Sequence, residues 1–203
     1  LCNSLIMIIR THMFTLKSQQ TDKLLLAPLE DKHLGGLYQA GQYTQIWRWV
    51  LMNYTETQQT LNDWFINTAQ FDAEQQIVFA IIDKASEQVL GTTRLFRLDK
   101  HNRSAEIGHT FIGTPWQRSF VNTHAKYLLL RYAFDELGLV RISFNTHEKN
   151  QKSRNAITRL GARFEGIAYK DRLLADGSYR NTAKFSIIDQ QWATIKLQLE
   201  GKL

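Results

Sequence analysis

Glu106-Ile107-Gly108, Gln117-Arg118-Ser119-Phe120-Val121-Asn122-Thr123 and Asn150-Gln151-Lys152-Ser153 follow one another in that order, at a spacing that predicts strand, loop, helix, strand, helix. A strand that runs through a polar, basic turn into a helix presents backbone N–H groups to phosphate. The first helical turn has donors without intrahelical partners, and the peptide dipoles place partial positive charge there. Asn150 and Ser153 stand where the second strand gives way to the second helix.

Outward from these segments the pattern stays regular. Alternation over Ala105 to Ile112 puts Glu106, Gly108 and Thr110 on one side and Ile107, His109 and Phe111 on the other. Residues 123–137 carry a helical stripe of Ala125, Leu128, Leu129, Tyr132, Ala133 and Leu137, with Gly138 as its stop. Arg141 to His147 alternates again, and a short helix with Ala156, Ile157 and Leu160 ends at Gly161. Upstream, residues 24–29 predict a strand and Asp31 caps a helix to about residue 40. Residues 44–53 and 57–70 predict helices, and 77–82 predict a buried strand with 91–98 as its hairpin partner. Downstream, Phe164 to Leu174 and Tyr179 to Ile188 form a hairpin across Asp176-Gly177, and Trp192 to Leu199 predicts a terminal helix. The sum is an α/β (α+β) fold: a mixed, mostly antiparallel sheet with helices on both faces.

Composition narrows the class. At 203 residues, 43% apolar and 22% charged, the chain suits one globular domain. Residues 21–203 are expected to form it, behind a poorly ordered leader over 1–20 in which Met13 reads as the natural start. The lone Cys2 excludes an internal disulfide framework and fits a cytoplasmic setting. No apolar run reaches the ~20 residues that a membrane-spanning helix needs, so no membrane partner is expected. A net charge of +6 fits a nucleic acid or a polyanionic cofactor, and dispersed positive residues give nucleic acid little support. The histidines show no metal-ligand spacing, so no metal is expected.

Taken together, the three opening segments resemble the GNAT superfamily of acetyl-CoA-dependent N-acetyltransferases, in its RimJ/RimL-like branch. The resemblance covers residues 21 to 200 and includes G-A-x-F-E-G at 161–166 and D-G-S-Y-R-N at 176–181. It implies a GNAT-type sheet, acetyl-CoA as co-substrate, and an acceptor that is a protein N-terminal α-amine or a small-molecule amine. It also implies cofactor binding by Gln117, Arg118, Ser119, Phe120, Val121, Asn122, Thr123, Asn150 and Ser153, with Phe111 or Ile112 lending a backbone N–H to the thioester carbonyl. It makes a homodimer a plausible assembly. Family members usually carry Q/R-x-x-G-x-G/A at the phosphate turn, whereas Phe120 and Asn122 occupy the glycine positions here. Left-handed backbone is costly for Phe, and the competing reading is an ordinary connection with Asn122 as N-cap.

Acetyl transfer needs a neutral amine, a polarised carbonyl and a protonated leaving thiolate. Glu106 is the expected base, with His109 and His147 as fallbacks; alternation sets His109 on the face away from Glu106. Ser153 is the expected acid and Tyr169 the runner-up. Trp47, Trp49 and Trp64 belong to the region expected to shape the acceptor pocket, and core packing accounts for at least two of them. The competing class is a non-catalytic acyl-CoA binder or a basic nucleic-acid module.

Overall fold

An eight-stranded sheet in the order β1-β2-β3-β4-β5-β6-β8-β7 forms the centre of the computed structural model, which describes residues 14–174 and 177–203. Its strands are β1 (Gln19–Gln20), β2 (Leu24–Pro28), β3 (Gln76–Asp83), β4 (Val89–Asp99), β5 (Ser104–Ile112), β6 (Arg141–His147), β7 (Arg163–Leu173) and β8 (Tyr179–Ile188). Neighbours are antiparallel except β5 and β6, which run parallel. A parallel neighbour needs a long crossover, and α3 (Val121–Arg131) supplies it.

The two sheet faces have separate cores. On one face α3, α4 (Gln151–Arg159) and α5 (Asp189–Glu200) bring Val121, Leu128, Ile157, Trp192 and Ile195 onto Ile77, Ile107, Ile142 and Phe185. On the other, α1 (Leu34–Ala40) and α2 (Gln58–Thr68) bring Leu37, Leu61 and Trp64 onto Val78 and Phe111, with Trp47 and Tyr54 between them. Alternation along β3, and the change of face along β5, divide the side chains between these cores, with Ile77 and Ile107 on one and Val78 and Phe111 on the other.

The structure departs from the sequence expectations in several places. Order begins before residue 21: Phe14 is buried in the larger core, Thr15 N–H donates to the Tyr132 hydroxyl at 2.9 Å, and β1 extends the sheet. Residues 1–13 of the expected leader, Met13 included, lie outside the described residues, as does Asp176 of the hairpin turn. The stretch 44–53 makes a 3-10 turn at Thr44–Trp49 and then irregular chain, since the Trp47 indole is drawn inward to donate to Gly41 O at 2.8 Å. Glu30, not Asp31, precedes the first helical turn. The α3 segment starts at Val121 and continues through a π-helical turn at Tyr132–Glu136 to Gly138, whose φ of 66° terminates it.

One local feature re-aims the candidate site. Thr92 pairs with Phe111 and Arg94 with Gly108, so His109 and Thr110 together oppose Thr93 alone. This is a β-bulge, and His109 adopts φ 48° within it. Alternation therefore breaks. Thr110 turns to the α3 face, where its hydroxyl lies 2.7 Å from that of Thr93 and accepts from Lys126 Nζ at 2.6 Å. His109 turns the other way, its ring 4.9 Å from that of Phe96, the strand partner of Glu106. His109 and Glu106 thus share a face, contrary to the alternation.

Lys126 is buried with hydroxyls rather than a carboxylate as its partners. Burial pushes its ammonium down from the usual lysine range to about 7. Between pH 7 and 10.5 the unfolded chain then holds a proton that the folded chain lacks, so stability rises with pH by at most ~1.4 kcal/mol per unit. Below pH 7 both states are charged and the full burial penalty applies. Lys126→Met removes this dependence while the two threonine hydroxyls keep each other. Urea midpoints across pH 6–10, compared at matched ionic strength, are expected to favour the variant most at low pH, with the difference narrowing steadily from pH 7 toward 10.5. A constant difference contradicts the assignment.

Candidate active site

β5 and β6 pair over three positions only, Ser104 with Arg141, Ala105 with Ile142 and Glu106 with Ser143. Beyond them β6 stays with β8 as far as His147 and Thr182, while β5 follows β4 as far as Ile112 and Gly91. The two strands part, and each leaves a row of backbone groups facing the opening. Such groups demand partners, and an extended ligand with amides of its own can supply them. Pairing also separates the two candidate carbonyl donors. Gly113 N–H donates to Leu90 O at 2.8 Å, so alternation turns the Ile112 N–H away from β4 toward the opening and the Phe111 N–H back toward β4. Phe111 instead buries its ring 4.9 Å from that of Trp47.

At the mouth of the opening the chain forms a 3-10 turn, Thr114–Trp116, before α3. Gln117 Nε2 donates to Ile112 O at 2.7 Å and ties the turn back to the strand end. The left-handed residue is Arg118, with φ 63°, whereas Phe120 has ordinary helical angles of −62° and −25°. The first α3 hydrogen bond runs from His124 N to Phe120 O; Val121 N–H donates to Ser119 Oγ at 3.4 Å, and the N–H groups of Asn122 and Thr123 are left at the helix end. Asn122 lies inside the first turn and is not the N-cap. Ser119 Oγ donates to Trp116 O at 2.6 Å, and the Phe120 ring turns sideways onto His124 at 5.2 Å. There is no acidic residue in this turn to oppose an anion.

α4 opens beside it. Asn150 is the N-cap, its Oδ1 accepting from Ser153 N at 3.0 Å, so the amide Nδ2 remains available to donate. The side-chain hydroxyl of Ser153 has no protein partner among the described residues. Lys152, which the sequence reading passed over, reaches from the same turn to Gln117 Oε1 and thereby joins the two helix N-termini. Burial first and Arg118 second hold its ammonium below the usual lysine range, which places the two cations close together.

Across the sheet, Glu106 is 8% exposed and its Oε2 accepts from Arg97 Nη1 at 2.9 Å. It lines a cavity of about 290 Å³ with Arg97, Ser143, Asn145, Glu165 and Lys184. Gly108 keeps its second oxygen approachable: a Cβ there would stand 3.6 Å from Oε1 and 3.2 Å from the Phe96 ring. His109 retains accessible surface, yet loss of hydration and then Arg94, Arg97, Arg180 and Arg172 push its imidazole down to about 4, keeping it neutral. His147 packs its ring 4.8 Å from Trp49, and its Nδ1 accepts from Lys149 N at 3.1 Å, which turns it toward the far end of β6. Tyr169 is 77% exposed and joins neither cluster. Trp47 and Trp64 are core residues, and Trp49 alone spans toward β6.

The donor set suits a phosphorylated, amide-containing ligand: a helix N-terminus without acids, Arg118 and Lys152 beside it, and a free strand edge leading toward Glu106. Arg97 and Lys152 were missed because a strand arginine and a helix lysine look like ordinary surface charge in sequence. The N-x-x-S spacing flanking Lys152 was the available signal. Among the described residues no group of His, Cys, Asp or Glu could hold a metal, and no helix is long and apolar enough to cross a membrane.

Comparison with known proteins agrees with this geometry. A family model described as an acetyltransferase (GNAT) domain matches residues 23–163. The crystal structure of a GCN5-related N-acetyltransferase from Brucella melitensis superposes with a TM-score of 0.86 at 32% identity, over 93% of this chain and 86% of that one. The uncharacterized N-acetyltransferase p20 of Bacillus licheniformis is 30% identical over 57% of this chain and 64% of its own length. The [ribosomal protein uS5]-alanine N-acetyltransferase of Escherichia coli is 26% identical over 56% of this chain and 58% of its own. The matches span between 55% and 64% of the curated relatives' length.

Replacing Asn150 by Ala removes the α4 cap and, with it, the anchor of the Lys152–Ser153 turn. The expected cost is ~1 kcal/mol of stability, measured by urea denaturation. Asn150→Asp, which keeps the accepting oxygen, is expected to restore most of that loss, and equal losses in both variants would dismiss the cap as its source.

Proposed function

Because the chain belongs to the GNAT acetyltransferase family, we propose that it transfers the acetyl group of acetyl-CoA to a primary amine at the point where β5 and β6 part. The observation that carries this reading is the convergence of two acid-free helix N-termini and a buried carboxylate on one gap between strands. Acetyl-CoA supplies an activated thioester, which the acceptor amine attacks directly in a ternary complex. The N–H groups at the start of α3, with Arg118 and Lys152, hold the diphosphate. Asn150 Nδ2 and the free edge of β5 hold the amide-bearing arm. Ile112 N–H polarises the carbonyl, a pre-aimed donor that needs no reorganisation.

Glu106 Oε1 takes the proton that the amine must lose, directly or through one water past Gly108. Arg97, on Oε2, fixes which oxygen faces the acceptor. Ser153 Oγ carries the proton that the departing sulfur requires, and its position in the first turn of α4 sets it beside the Asn150 amide. No covalent enzyme intermediate is involved. The acceptor is a protein N-terminal α-amine or a small-molecule amine, and the ribosomal-protein relative supports the former.

Calorimetry with acetyl-CoA tests the cofactor half. Micromolar binding is expected, weakened ~5- to 10-fold by Lys152→Ala through a lost charge-assisted contact of ~1–1.5 kcal/mol. Steeply salt-dependent DNA affinity without CoA binding would support the nucleic-acid module instead. For the chemistry, Glu106→Gln is expected to lower kcat ~10²- to 10⁴-fold and flatten the acidic limb of its pH profile. An unaltered pH profile would remove Glu106 from the role.

A further inference from the structure

Arg94 lies on the same sheet face as Glu106, two residues along β4 from Phe96 and paired across the strands with Gly108. It is 5% exposed, and Nη1 donates to Gln76 Oε1 at 2.8 Å. Nε and Nη2 are buried without a hydrogen-bond partner among the described residues. These two nitrogens are not a random pair. Nη2 is the terminal nitrogen on the same side as the Nε hydrogen, so both N–H bonds point the same way along one edge of the guanidinium. That edge is the one that grips a carboxylate with two parallel bonds.

Nothing among the described residues answers it. The aromatic neighbours are Trp64, whose ring centroid lies 6.0 Å from the guanidinium carbon, and Tyr54. No carboxylate is among the groups that act on its charge. Arginine stays cationic even when buried, and an uncompensated buried cation costs several kcal/mol. Arg97, Arg172 and Arg180 act with Arg94 on His109. The acids there are Glu106, already paired to Arg97, Glu165, paired to Arg141 at 2.6 Å, and Asp171, paired to Arg172 at 3.5 Å. The acceptor side of the sheet is therefore cationic, which disfavours a polyamine and favours an acceptor with an anionic group.

We infer that the acceptor is an amine carrying a carboxylate in the same molecule, and that the Nε–Nη2 edge of Arg94 binds that carboxylate while the amine lies toward Glu106. The inference rests on the acetyl-transfer reading of the Glu106 face. Tyr54 comes from the irregular chain between the 3-10 turn and α2, stacks on Trp64 at 4.0 Å, and acts on the charge of Arg94. The carboxylate has two chemical sources, the α-carboxylate of a free amino acid or an acidic side chain near a peptide N-terminus.

The full chain is tested with L-amino acids against their own carboxamides, and with tripeptide amides beginning Ala-Asp against Ala-Asn. Binding is read by tryptophan fluorescence in the presence of CoA, and turnover by CoA release from acetyl-CoA. One acid member of a pair is expected to bind ~10- to 100-fold more tightly than its neutral partner, the worth of a charge-assisted fork. Whichever pair shows this names the source. Arg94→Gln is expected to bring that ratio to near one by raising KM for the acid. Arg94→Lys keeps the charge without the fork and is expected to restore it in part; acetyl-CoA binding reports that each variant is folded. Equal handling of acid and neutral partners by the unaltered chain overturns the inference while leaving acetyl transfer standing, and needs no variant. Acid-selective binding without turnover upholds the carboxylate site and instead sinks the acetyl-transfer reading.

Discussion

The parting of β5 from β6 after Glu106 and Ser143 is the constraint on which the rest of the site depends. A sheet interior gains nothing from stopping its ladder early, because every unpaired N–H and C=O beyond the break must find another partner. Here the break is enforced from both sides. β6 is committed to β8 over its whole length, and β5 is bent by the bulge at His109–Thr110. Lys126, with its ammonium on Thr110 and Thr93, pins that bulge from the α3 face. A buried lysine without a counter-charge makes poor sense as a stabiliser. It makes better sense as a peg that holds an irregular strand pair in one arrangement.

The same bulge decides what the other face offers. By breaking alternation it brings His109 beside Phe96 and Glu106, within reach of four arginines. The gap thus lies between two cationic regions on opposite sides of the sheet. One is built from Arg118, Lys152 and helix N-termini, the other from side chains on β4, β7 and β8. Much of the net charge of +6 has a local use in this picture. Glu106 is the buried carboxylate between them, and Arg97 keeps it oriented without enclosing both oxygens.

Much of this was legible in the sequence. The hairpins, the buried run at β3, the α3 stripe and the glycine stops at Gly138 and Gly161 each followed from periodicity or from a residue type with one conformational use. The GNAT resemblance of the three opening segments, and the mixed sheet it implied, agree with the matched domain and the solved relative. What escaped was set by tertiary contact. Nothing in Gly-His-Thr-Phe announces a bulge, because its cause is the opposing register of β4 and the pull of Lys126. The segment 44–53 has helical spacing, but burying Trp47 against Tyr54 and Phe111 outweighed its weak propensity. The short strand β1 is two polar residues, too few to show a period, although Phe14 before it is buried.

The glycine-free turn before α3 illustrates how a family sequence pattern can be departed from without strain at the customary glycine position. The sequence placed Phe120 where a left-handed residue would be costly, and the backbone avoids the cost by moving the left-handed step back to Arg118. A non-glycine residue there carries strain of ~1–2 kcal/mol. The arrangement offsets it by tying the turn at Gln117 and Ser119 on either side of the strained residue. The gain is a guanidinium placed at the mouth, next to Lys152, where glycine would have offered only an N–H. Phe120, freed from the turn, packs on His124 and leaves the amides of Asn122 and Thr123 without a helical partner. A bulky side chain at a customary glycine position is thus compatible with an anion site, provided the ring has somewhere else to pack.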